Sequence, residues 1–209
     1  MGTSFVAWLL MATVAASPVT APREVVQSAV ARVIAVLNET EPDRAERDEP
    51  RTPGQERART EIRRIATELF DFDEMARRTL SRHWAGRTRA EQVEFVRLFT
   101  ALLEHSYVGK IEAYAGEKIA YVGDVVDGSH ALVRSKIVVP RRRTDTALDY
   151  RLLLRAGRWK VYDVRIDGVS FVSTYRGEFN RVITSFSYAA LVATLRSKRL
   201  EVRTVERRS

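Results

Sequence analysis

The chain has 209 residues, with 35 Lys and Arg against 27 Asp and Glu, a net charge of +8. Apolar residues make up 45% and charged residues 30%, which argues against intrinsic disorder and suits one domain with a sizeable core. Cysteine is absent, excluding disulfides, thiolate metal sites and cysteine nucleophiles, while the Arg-rich basic excess favours anionic partners: nucleic acid, lipid head groups or an acidic protein face.

Residues 1–21 carry no charged side chain, and residues 5–16 are apolar except for Thr13. That run matches a signal-peptide core and falls short of the ~20 apolar residues a spanning helix needs. Val14 and Ala16 fit the small-x-small rule for cleavage before Ser17; Ala21 is a second candidate, disfavoured by Pro22. The usual positive residues ahead of the core are missing. The expected organisation is a signal peptide over 1–21, cleaved after Ala16 or Ala21, one domain over 22–199 and a charged tail over 200–209.

Residues 22–38 place Val26, Ala29, Val30, Val33, Ile34 and Leu37 at helical spacing. Residues 39–54 hold Pro42, Pro50 and Pro53 and read as a loop. A second helix is expected over 55–70, burying Ile62, Ile65, Leu69 and Phe70. Asp71 or Asp73 caps a short third helix ending near Leu80. Thr88 and Glu91 have capping-box spacing, and the longest helix follows to about Tyr114, with Gly109 as a point where it bends or breaks.

From Gly116 the apolar period changes to two. Ile119, Tyr121 and Gly123 alternate in the first strand, and Asp127-Gly128 is a hairpin turn. Val133, Ser135, Ile137 and Val139 share a face of the second strand, and Leu148, Tyr150, Leu152 and Leu154 a face of the third. Tyr162, Val164 and Ile166 share a face of the fourth, and Gly168 ends the sheet. Helical spacing returns over 169–184 and 185–195. The expected fold is α+β: a curved four-stranded antiparallel meander packed with helices, an NTF2-like cone enclosing an apolar cavity.

Catalytic patterns are weak. His83, His105 and His130 have no metal-ligand spacing, Asp71 and Asp73 suit capping better than acid–base work, and Ser170 lacks a nucleophile-elbow setting. No phosphate-binding glycine loop occurs. No catalytic residue and no metal site are expected. A small enzyme with an acidic residue and a Tyr in an apolar pocket, chemistry of the ketosteroid isomerase kind, stands as an alternative. It requires a buried carboxylate near Tyr121 or Tyr150. A basic adaptor without a cavity is a second alternative. Nucleic-acid binding is not expected, because the aromatic residues follow core faces rather than an open one.

Three segments carry a resemblance. They are Phe70-Asp71-Phe72-Asp73-Glu74-Met75-Ala76 with Leu80 and Trp84; Phe95 to Phe99 with Leu102, Leu103 and Tyr107; and Trp159 to Val164 followed by Gly168 to Val172, Tyr175 and Arg176. In this order the chain, from about Val25 to Arg199, resembles the MlaC or toluene-tolerance family of periplasmic phospholipid-binding proteins. The resemblance implies a monomeric carrier that performs no bond chemistry, needs no cofactor and holds phospholipid as cargo. Its implied partners are an outer-membrane lipoprotein–porin complex and an inner-membrane ABC transporter, in a system that maintains outer-membrane lipid asymmetry. Lipid tails need an apolar lining, since burial contributes about 0.8 kcal/mol per CH₂. Candidate lining residues are Tyr107, Tyr121, Val133, Ile137, Tyr150, Leu152, Tyr162, Val164, Phe171, Val172 and Tyr175. Arg176 and the Arg141, Arg142 and Arg143 tip are candidates for head-group or partner contact.

Overall fold

The computed structural model describes residues 20–40, 52–114, 116–138 and 145–197. The expected signal peptide, the 141–143 tip and the 200–209 tail lie outside these residues, apart from Thr20 and Ala21. Four helices come first: α1 (Pro22–Glu39), α2 (Pro53–Leu69), α3 (Phe72–Leu80) and α4 (Arg89–Glu112). The strands β1 (Lys118–Asp127), β2 (His130–Val138), β3 (Thr146–Arg155), β4 (Arg158–Ile166) and β5 (Val169–Ser170) follow, then α5 (Phe171–Ser185) and α6 (Tyr188–Arg196).

Local chemistry accounts for the boundaries. Pro22 at the first position of α1 loses no hydrogen bond that a helix would use there. Thr52 and Gln55 form a reciprocal capping box on α2, and Thr88 and Glu91 form another on α4. The Asp71 carboxylate accepts from the Glu74 N–H at 2.9 Å and starts α3. Helix α4 runs through Gly109 without a break, because Phe95, Leu98, Phe99, Leu102, Leu103 and Val108 anchor it along its length.

The sheet is antiparallel, open and ordered β1-β2-β3-β4-β5. It has five strands rather than four. Asp167 and Gly168, at φ +48° and +83°, make a two-residue turn that returns Val169 and Ser170 onto Ile166 and Arg165. The turn of the first hairpin is Gly128-Ser129, with Asp127 paired to His130. Two bulges alter the faces that simple alternation predicts. Val122 stands outside the β1–β2 ladder, so Gly123 lies on the opposite face from Tyr121. Tyr162 stands outside the β3–β4 ladder, so Val161 rather than Tyr162 shares a face with Val164 and Ile166.

Two apolar bodies sit against the sheet. On the first, Val26 and Ala29 of α1 and Ile65 and Leu69 of α2 cover Val133, Tyr150, Leu152, Trp159, Val161 and Val164. The second gathers α3, α4, α5 and α6 around Phe95, Phe99, Tyr175 and Phe179, whose rings meet mostly edge to face. It touches the sheet mainly through β4, with Tyr162 in its core, and has Leu153 of β3 at its margin. The parallel bridge Phe70 to Val161 and the Asp71 N–H···O=C Val161 bond at 2.8 Å join α3 to β4.

Candidate functional site

The face covered by α1 and α2 changes character along its length. Toward one end Val133, Leu152 and Val161 are sealed beneath Val26 and Ile65. Toward the other end Ile119, Tyr121, Ile137, Leu148 and Ile166 are only half-buried. The register places them in adjoining rows, Ile119 opposite Ile137, and Tyr121, Ser135, Leu148 and Ile166 in one line across four strands. Phe171 reaches the same body from the start of α5 and stacks on Tyr107 of α4 at 4.6 Å. The result is an apolar strip, closed at one end and half-open at the other.

The phenols on this strip are neutral. Burial raises the Tyr150 hydroxyl well above its ordinary value, and Tyr121 adds to the shift. Burial also raises Tyr121, against the pull of Arg23. Arg23, on the first turn of α1, donates from Nη2 to the Tyr121 carbonyl at 3.3 Å. Its Nη1 lies 3.8 Å from Asp124, and its guanidinium centre lies 5.9 Å from the Tyr121 ring centroid. Half-exposed Arg23 thus sets a positive charge beside the half-open part of the strip.

The structure brings Tyr121, Val133, Tyr150, Leu152, Val164 and Phe171 into this body. Ile137 shares its strand face by register. Val172, Tyr175 and Tyr162 belong instead to the helical body. Tyr162 departs because its bulge turns the ring toward Arg78 at 4.1 Å and Arg151 at 5.4 Å. Tyr107 lies at the margin of the helical body and joins the two through its stack on Phe171. Arg176 is exposed on α5, beside Tyr175. Sequence reasoning missed the α1 wall, although its valine stripe was visible. It also missed Arg23, whose role depends on a contact 98 residues away.

A groove of about 250 Å³ lies elsewhere, between α4 and α6. Leu98, Leu102 and Leu195 line it together with Arg97, His105 and Arg196. None of the expected lining residues borders it.

Buried carboxylates occur away from the strip phenols. Asp163 accepts from the Ser170 hydroxyl at 2.6 Å and the Val172 N–H at 3.1 Å, holding the start of α5. Glu74 is gripped by Arg77, Arg78 and Arg155. No carboxylate contributes to the shift of either strip phenol. His83 meets the Asn180 side-chain oxygen at 3.1 Å, and His130 lies edge-on to Tyr162. Among the described residues no group of three or more His, Asp or Glu is placed to hold a metal ion. No described helix is long and apolar enough to cross a membrane.

The family described as MlaC protein matches residues 27–197. A solved structure of a phospholipid-binding protein from Ralstonia solanacearum, in complex with a phospholipid, is similar at TM-score 0.69 and 24% identity. The match covers 85% of this chain and 96% of that one.

Proposed function

We propose a function from one premise: the chain belongs to the MlaC family. It is a phospholipid carrier of the periplasm, exported by residues 1–21 and acting as a monomer. It shuttles lipid between an outer-membrane lipoprotein complex and an inner-membrane ABC transporter, and so maintains outer-membrane lipid asymmetry. It is a binding protein, with lipid as cargo rather than cofactor.

The observation that carries this reading is the half-open apolar strip. Acyl chains laid along Tyr121, Ile137, Leu148, Ile166 and Phe171 would cover surface that α1 and α2 leave half-exposed. Each methylene so buried contributes about 0.8 kcal/mol, so affinity needs few directional contacts. The phosphate stays outside, near Arg23, with Arg176 and the Arg141–Arg143 tip serving the head group or a partner. That the similar Ralstonia solanacearum protein was solved with a phospholipid supports phospholipid as the cargo.

Protein purified from a bacterial host is expected to release phospholipid on solvent extraction, detected by mass spectrometry at about one molecule or more per chain. Lipid-free preparations that also refuse lipid from vesicles would overturn the reading. Val164→Glu is expected to abolish loading by placing a carboxylate in the covered face. Ile137→Glu, at a half-buried position that tolerates a polar group better, is expected to fold and reduce loading at least tenfold. Full loading of Ile137→Glu would remove the strip from consideration.

A further inference from the structure

The Tyr121 hydroxyl is buried and has no hydrogen-bond partner among the described residues. Three arginine Nε atoms share that condition, but each of those guanidiniums is ion-paired: Arg59 with Glu112, Arg63 with Glu104 and Arg87 with Glu91. Tyr121 has no such relief at its hydroxyl. Buried polar atoms in folded proteins are almost always satisfied, so an orphaned hydroxyl in a half-open strip points to a group that arrives from outside.

The surroundings define that group. A phenol carries one O–H donor, and with no partner at this oxygen that donor is unsatisfied, so an arriving acceptor is what it lacks. Across the sheet from Tyr121 stand Ser135, whose hydroxyl is already given to the Leu148 carbonyl at 2.7 Å, then Leu148 and Ile166, and the nearby Tyr150 phenol is neutral, so this lining disfavours a fully charged acceptor at that depth. The cation beside the Tyr121 ring, Arg23, is half-exposed and lies at the solvent side. A glycerolipid has matching layers: alkyl tails, then neutral ester carbonyls, then a charged phosphate. Building on the phospholipid reading above, we propose that the Tyr121 hydroxyl donates a hydrogen bond to an acyl ester carbonyl of the bound glycerolipid. That bond sets how deep the lipid sits, with tails beyond Tyr121 and the phosphate on the Arg23 side.

The test uses the full chain, stripped of lipid and offered an equimolar mixture of diacyl and dialkyl-ether phosphatidylglycerol of the same chain length. The ether lipid lacks the carbonyl and little else. Wild type is expected to enrich the ester form about fivefold to tenfold, the worth of one hydrogen bond to a buried donor with no other partner. Tyr121→Phe keeps the ring but lacks the donor, and is expected to lose the preference and take up both forms equally. Equal uptake by wild type, as a buried water serving Tyr121 would produce, overturns the proposal. So does an ester preference that survives in Tyr121→Phe. Oleate offered as a third competitor presents a carboxyl oxygen instead, and its preferential uptake would overturn the glycerolipid assignment. Uptake of none of these by wild type overturns the carrier reading itself, a distinct outcome.

Stability gives a second readout. Lipid-free Tyr121→Phe is expected to melt at the same temperature as wild type or higher, because the atom removed is unsatisfied. A lower melting temperature would show that the hydroxyl serves the apo fold and would overturn its assignment to the lipid.

Discussion

Glu74 shows how a single side chain ties this structure together. It is only 2% exposed, on a helix whose other charged residues, Asp73, Arg77 and Arg78, are exposed or half-exposed. Burial works against its charge, but hydrogen bonds from Arg77 and Arg78 more than offset this and hold its carboxyl below the usual value near 4.5. Arg155 from β3 adds a bond at 3.3 Å to Glu74 and one at 3.1 Å to Asp71, so the start of α3 is pinned to the sheet. A carboxyl whose folded value is lowered stabilises fully above the unfolded value and loses that contribution as pH falls through the folded one. Glu74→Gln is therefore expected to cost about 2 kcal/mol at pH 7, the half-exposed arginines reducing what a fully buried pair would lose. Urea denaturation should show the gap between variant and wild type narrowing below pH 4.5. A gap that stays constant down to pH 3 would contradict this account. Nothing in the sequence marked Glu74 for burial, since a lone Glu two residues from a helix start ordinarily caps or faces solvent.

Helix starts and strand faces were legible to different degrees. Asp71 and the Thr88–Glu91 box were readable, because a cap is defined by residues three apart. Thr88→Ala is expected to cost about 1 kcal/mol, measured as a shift in denaturation midpoint. The start of α5 is built differently: Ser170 caps Ser173 while donating to buried Asp163, which also receives the Val172 N–H. Asp163→Ala leaves both donors unpaired and is expected to cost about 2–3 kcal/mol, with faster amide exchange in the first turn of α5. Alternation placed Val133, Tyr150, Leu152 and Val164 on one face correctly, because each follows an unbroken stretch of ladder. It misplaced Gly123 and Tyr162, because a bulge adds a residue without any change in composition. β5 escaped notice because two residues carry no period.

The whole molecule divides the sheet unequally. β3 and β4 are packed by helices, while β1 forms an edge paired on one side alone, with Val122, Val125 and Val126 at least half-exposed. The helical body holds β4 through Tyr162 and the Phe70 bridge; the α1–α2 pair spans β2 and β4. Native-state hydrogen exchange should therefore protect β3 and β4 amides most, and leave the outward amides of β1 least protected among the strands. Uniform protection across the sheet would contradict a body anchored at β4. The order of layers followed from the sequence, helices first and meander second. Which layer took which face did not, since Tyr175 and Tyr150 have the same composition-level signature but belong to different bodies.

The unpaired position of Val122 also dictates where the gene tolerates a missing codon. Excising Val122 joins Tyr121 to Gly123, whose partners Ser135 and Arg134 are already neighbours, so every other side chain of β1 keeps its orientation. Excising Ala120 instead slides the strand start by one step. Lys118 would then inherit the place of Ile119 opposite Ile137, bringing an ammonium to the greasy side and sending an isoleucine into water.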